Sequence, residues 1–231
     1  SQGAYELLAM SWRGAQEASR YRVFHVKHRR TVTMRRSSES SPDGSPVLHT
    51  TSLKNMARLH LFDLDGTLLH GTSAPVQISR QLGVEAETMA LDQAIGAGLI
   101  GPAEYAQQVY ELWASLTEEH VVAAFEGAPW LARIREVWAE IREQGDYCAV
   151  VSLSPSFFVE RLTGWGAHAA HGSRFPAVPF TEPVDPAGVL SAAAKVLIAD
   201  RLCEQFGVTR ADCIAYGDSS SDKDLFVAVP I

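Results

Sequence analysis

From Arg58 onward, short apolar runs alternate with longer stretches of helical periodicity. Residues 59–62 (LHLF) lead into Asp63, residues 147–151 (YCAVV) into Ser152, and residues 213–216 (CIAY) into Gly217 and Asp218. Each run is short, bounded by polar residues and followed by a helical pattern, which predicts an α/β fold built on a parallel sheet. In open sheets of this kind ligands bind beyond the carboxyl ends of the strands. The three polar residues that end these runs are therefore expected to meet at one site.

The helical patterns divide into two groups. Trp130, Leu131, Ile134, Val137, Trp138 and Ile141 share one apolar face, with Pro129 before it and Gly145 after it, and residues 189–206 form a second helix stopped at Gly207. Between the first two strands, residues 75–82, 85–95, 102–116 and 117–125 read as four short helices separated by Gly, Pro or a Thr cap. An ordinary crossover needs about a dozen residues. This longer excursion is expected to be a helical cap over residues 73–126, set into a core of residues 56–72 and 127–231. The chain ends thirteen residues after Asp218, and residues 227–231 are expected to lead into a further strand, so the C-terminus reads as a truncation.

Residues 1–55 differ in kind. They hold nine Lys or Arg against four Asp or Glu, while the remainder carries a charge of −12 within the overall −7. The stretch is polar and Ser-rich with neither helical nor strand period, and is expected to be a disordered basic tail or a translated upstream segment, with Met56 as a natural start. A basic tail can touch nucleic acid, but the solvated reading is preferred. No apolar run approaches the ~18–20 residues of a membrane span. The three cysteines, Cys148, Cys203 and Cys213, form no C-x-x-C pair and sit among apolar neighbours. They read as buried reduced thiols, which favours a cytoplasmic location.

The most informative stretch is LFDLDGTLL. Asp63 and Asp65 sit two apart at a strand end, which a pleated strand places on one face. Gly66 permits a sharp turn, and the amides that follow it, at Gly66 and Thr67, can face an anion. Here the sequence resembles the haloacid dehalogenase superfamily, whose first motif is D-x-D-G-T. The later motifs follow in order: Ser152 ends the second strand, Lys195 is the one lysine between Ser152 and Asp218, and YGDSSSD supplies Asp218 and Asp222.

The resemblance implies a Rossmann-like core and a magnesium-dependent phosphatase acting on a small-molecule phosphate ester. By the same resemblance, Asp63 is the nucleophile and Asp65 the general acid and base. Mg²⁺ is held by the Asp63 carboxylate, the Asp65 main-chain carbonyl and Asp218, with Asp222 binding through water or orienting Lys195. Lys195 and the Ser152 hydroxyl contact the phosphoryl group; Arg174 competes for the cationic role. A carboxylate at Asp65 fits ester hydrolysis, or a mutase; the dehalogenases lack a carboxylate there. A truncated, inactive binding module is the reading from a different class.

The insertion resembles the cap of the phosphoserine phosphatase branch, yet no acidic residue occurs between Gly66 and Val84, and Arg80 is the one arginine between Gly66 and Trp130. Phosphoserine itself is therefore not the expected substrate. Tyr105, Tyr110, Trp113 and Phe125 are expected in the core rather than in an apolar pocket. Gly164, Gly166 and Ala169 match a dinucleotide fingerprint but follow a helical stretch, the wrong context. His168 and His171 lack a third ligand of matching spacing and read as surface or core histidines.

Overall fold

A computed structural model describes residues 57–229; the expectations for the N-terminal tail and for residues 230–231 fall outside the described residues. Four parallel strands form one sheet in the order β3-β2-β1-β4: β1 is Leu59–Phe62, β2 Tyr147–Pro155, β3 Ala169–Ser173 and β4 Cys213–Tyr216. β1 is central, with Phe62 beside Val150 on one side and Tyr216 on the other. Asp63 and Asp218, just beyond β1 and β4, and Ser152, within the longer β2, are thereby brought to the same end of the sheet.

The period-two pattern of β1 explains its two covers. Leu59 and Leu61 pack on one face with Ala149, Val151, Ile198, Leu202 and Leu225. Phe62 faces the other way, into a cluster with Trp138, Ile141, Cys148 and Val150. Trp138 is fully buried with its edge on the Phe62 ring, at 5.8 Å between centroids. Truncating such a side chain to alanine costs about 3–5 kcal/mol.

The helices of the insertion are α1 (Ala74–Leu82), α2 (Glu85–Gly96), α3 (Pro102–Leu112) and α4 (Glu118–Glu126). Ser73 caps α1 by accepting from the Val76 amide, and Gly83 closes it in the left-handed conformation at φ 72°. Ser79 of α1 joins two neighbours at once: its hydroxyl lies 2.6 Å from Thr88 Oγ1 of α2 and accepts from the Trp113 indole at 2.7 Å. Val109, Trp113, Leu116, Val121, Ala124 and Phe125 belong to the same buried cluster as Phe62 and Trp138. Tyr105 packs against that cluster, half-buried, and Tyr110 stacks on Phe180 nearer the surface.

Helix α5 (Ile134–Glu143) follows the insertion, the short α6 (Ser156–Val159) follows β2, and α7 (Ala192–Phe206) and α8 (Lys223–Ala228) close the described chain. Gly207 ends α7 at φ 65°. The sequence expectations need two corrections. The third insertion helix stops at Leu112 because residues 113–116 turn to place Trp113 and Leu116 in the core. Val227 and Ala228 belong to α8 and Val229 buries against the α7 face, while the expected further strand lies outside the described residues.

The second correction is the addition of β3, a strand that the sequence did not predict, because its AAHGS text lacks branched and aromatic strand formers. It pairs because Gly172 lets the backbones meet: a Cβ there would stand 2.5 Å from the Ser154 carbonyl oxygen. Gly164 lies in the 3-10 turn before β3 and Gly166 caps that turn, so turn precedes strand. His168 accepts from the Cys148 amide at 3.0 Å, and His171 is exposed on β3. All three cysteines are buried free thiols, with the Cys203 and Cys213 sulfurs 3.3 Å apart. No helix among the described residues is long and apolar enough to cross a membrane.

Candidate active site

Asp63 follows the last residue of β1 and is nearly buried, its amide donating to the Tyr216 carbonyl at 2.8 Å. Lys195 rises from the first turn of α7, fully buried, and its ammonium sits 2.6 Å from Asp63 Oδ1 and 2.7 Å from Asp222 Oδ1. Asp222 is fixed from its other side, where Oδ2 accepts from the Ser219 amide and hydroxyl, both at 3.1 Å. A Cβ at Gly217 would stand 2.5 Å from Asp222 Cγ, so the loop closes directly on this carboxylate. Arg174, the competing cation, pairs with Asp185 at 2.9 Å in an exposed position.

Asp218 completes the cluster. One carboxylate oxygen from each of Asp63, Asp218 and Asp222 lies within 4.8 Å of the others, the one such group of three or more potential ligands among the described residues. An all-oxygen, anionic donor set suits a hard divalent cation such as Mg²⁺. Gly66, at φ 77°, borders Asp218 so closely that any Cβ would overlap the carboxylate. Thr67 Oγ1 donates to Asp218 Oδ1 at 3.5 Å. The Gly66 and Thr67 amides donate to the Thr72 and Leu64 carbonyls, at 3.1 and 3.2 Å, rather than into the site.

Asp65 points to the neighbouring space. Its Oδ1 accepts from the Ala74 amide at the start of α1 at 2.7 Å, and its Oδ2 accepts from Ser154 at 2.6 Å and Ser152 at 3.2 Å. The two serines reach it because β2 is irregular where it pairs with β3: Val151 pairs with His171, but Pro155 pairs with Ser173. Extra residues in a bulge re-aim side chains. Ser152 is fully buried, with its hydroxyl also accepting from the Ser154 amide at 3.0 Å.

Electrostatics separate these groups. Burial pushes the Asp63 carboxyl up to about 8, against the pull of Lys195. Burial also works against the Lys195 ammonium, but the charges of Asp63 and Asp222 outweigh it and hold the proton more firmly than in water. Asp65 is raised by burial, with the Ser154 hydrogen bond opposing. Asp218 is raised to about 6, by burial and then by the charges of Asp222 and Asp65.

Sequence reasoning missed Ser154, Ser73 and Asp92; Tyr105, expected in the core, packs against the core cluster and also donates to Asp92. Ser154 was signalled by its spacing of two from Ser152. Asp92 carried no local signal: it meets Ser73 at 2.9 Å and Tyr105 at 2.5 Å only once α2 folds back on α1.

The haloacid dehalogenase-like hydrolase family model matches residues 60–226. Comparison with curated proteins finds no match. Among solved structures, a substrate-bound phosphoserine phosphatase complex is 23 % identical, with 75 % of this chain and 83 % of that chain covered at a TM-score of 0.63. A phospho-aspartyl intermediate analogue of phosphoserine phosphatase is 24 % identical, with the same coverage and TM-score. A family hydrolase from Salmonella enterica serovar Typhi is 16 % identical, with 74 % and 59 % covered and a TM-score of 0.66. The parallel sheet with its helical insertion is the fold these structures share, and the chain belongs to the haloacid dehalogenase-like hydrolase family.

Proposed function

We propose that this protein is a Mg²⁺-dependent phosphatase that hydrolyses a small-molecule phosphomonoester through an aspartyl-phosphate on Asp63, with residues 73–126 serving as its cap. The observation that carries the reading is the division of labour between two carboxylates on one strand end. Asp63 is paired with a buried ammonium among potential metal ligands, whereas Asp65 is held apart by Ser152, Ser154 and the Ala74 amide.

Asp63, Asp218 and Asp222 are the side chains that would hold or surround the ion, with the Asp65 carbonyl as a further ligand. The ion would supply the positive charge that lets a carboxylate approach a phosphate dianion. The Asp63 carboxylate attacks phosphorus as the ester P–O bond breaks. Asp65, whose carboxyl pKa burial holds above its ordinary value, gives its proton to the departing alkoxide. It then takes a proton from the water that attacks the aspartyl-phosphate, which returns Asp63 as a carboxylate and releases phosphate. Lys195 contributes a fixed positive charge beside Asp63 and the phosphoryl oxygens. Ser152, whose hydroxyl donates to Asp65, turns to donate to a phosphoryl oxygen. Gly66 and Thr67 shape the turn that borders the phosphate and keep Asp218 in place.

Phosphate release from p-nitrophenyl phosphate with and without Mg²⁺ tests the reading. Turnover that needs Mg²⁺ and vanishes in Asp63→Asn supports it. Full turnover after chelation, or no turnover with any ester, overturns it.

A further inference from the structure

A cavity of about 360 Å³ opens beside Asp65, between the strand ends and α1–α3 of the insertion. That volume lies at the small end of ligand pockets, which run from about 300 to 1,000 Å³. The general acid sits in its wall, so the cavity is where the alcohol portion of an ester bound at Asp63 would lie. Its walls are mainly apolar, including Ile95, Val109, Trp113 and Phe175. No Lys, Arg or His lines it; its charged residues are Asp65 and Asp92.

Asp92 is a second acidic group in the wall of the same cavity. It is partly buried and oriented by Ser73 and Tyr105, each donating to one carboxylate oxygen. Among the described residues no Lys, Arg or His forms an ion pair with it. A carboxylate can accept about four hydrogen bonds, so Asp92 keeps capacity for a donor inside the cavity. A substrate carboxylate or second phosphate would meet two acidic groups and no cation there. An ammonium would find a charge partner, and its carbon chain an apolar wall.

We propose that the substrate is the phosphate monoester of a small amino alcohol, its apolar chain filling this cavity and its ammonium donating to Asp92, with no second acidic group. This assignment rests on the phosphatase reading above and narrows its substrate. Ser73 and Tyr105 act as positioning residues, since they touch Asp92 rather than the substrate.

A length-matched series tests it: 3-aminopropyl phosphate, butyl phosphate and 3-phosphooxypropanoate, with p-nitrophenyl phosphate alongside, on the Mg²⁺-loaded full chain. The amine ester should exceed the butyl ester in kcat/KM by about tenfold, the scale of one charge-assisted hydrogen bond. The carboxylate ester should fall below both. Asp92→Asn should bring the amine-to-butyl ratio close to one. The ester series itself needs no variant, so it decides the matter even where Asp92→Asn fails to fold. Equal rates for amine and butyl esters, a faster carboxylate ester, or an amine preference that survives Asp92→Asn would overturn this assignment while p-nitrophenyl phosphate turnover leaves the phosphatase reading standing. Failure to hydrolyse any ester removes that reading, and this inference with it.

Discussion

Replacing Lys195 with Met tests the physics of the site without reference to catalysis. The substitution keeps the length of the side chain and removes its charge and three donors. It strands Asp63 and Asp222, each within 2.7 Å of the ammonium in a fully buried setting. Breaking a buried pair by removing one partner costs about 3–5 kcal/mol, because the remaining charge is left uncompensated. Here two carboxylates are stranded by one change, so the upper part of that range is expected at alkaline pH without metal.

The loss must depend on pH, and its sign follows from linkage. Asp63 already has its folded pKa raised above the ordinary value, to about 8. Losing the ammonium raises it further. A carboxyl with a raised folded pKa contributes stability that is present below its unfolded pKa and lost as pH rises through the folded value. The deficit of Lys195→Met should therefore be larger at pH ~9 than at pH ~6, because Asp63 takes up a proton as the pH falls between them. Urea unfolding followed by tryptophan fluorescence, in chelator and at both pH values, reads it directly. Mg²⁺ should restore part of the loss at alkaline pH, and the double variant Asp63→Asn/Lys195→Met should be more stable than Lys195→Met alone. A deficit under about 1 kcal/mol, as for an exposed pair, or one that does not change with pH, would refute the reasoning.

Other outcomes follow from the same geometry. Asp63→Asn should abolish phosphate release while leaving the melting temperature near that of the parent, because an amide cannot form the acyl-phosphate; retention of more than about a tenth of activity removes Asp63 from the nucleophile role. Gly66→Ala should weaken Mg²⁺ binding measured by calorimetry, since its Cβ overlaps Asp218 and its φ of 77° disfavours any side chain. Unchanged affinity would show that the loop can retreat. Asp218→Ala should weaken Mg²⁺ binding more than Asp222→Ala, because Asp222 is already engaged by Lys195 and Ser219; equal losses contradict that assignment. In chelator the parent should be less stable at pH ~8.5 than at pH ~6, because Asp63 and Asp218 have raised folded pKa values, and Mg²⁺ should reverse the trend.

What was legible in the sequence follows from how local each signal is. β1 and β4 are runs of four apolar or aromatic-rich residues between polar neighbours, and both appear with the expected bounds. Lys195 could be singled out because no other lysine falls between Ser152 and Asp218. β3 was invisible because its strand character comes from the neighbouring β2 backbone and from the space that Gly172 leaves, not from its own side chains. The extension of β2 through Pro155 was missed for a related reason: its register break with β3 is a tertiary feature. Asp92 lay in a stretch read only as a helix. Its meaning appears when α2, α1 and α3 bring it to Ser73 and Tyr105.

The insertion is anchored unevenly. α1 buries six of its residues, Ala74 to Ser79, and its first amide holds Asp65, whereas α2 buries Thr88 alone and leaves Met89 about half exposed. Elements with few buried contacts open at lower free energy than those fused to the core. Exchange of α2 amides with solvent should accordingly outpace that of α1. The wall bearing Asp92 can then swing outward while Asp65, held by the first amide of α1, stays registered to the sheet. The Ser73 and Tyr105 hydrogen bonds become the latch of a door whose frame does not move, so admitting a substrate need not disturb the groups that react with it.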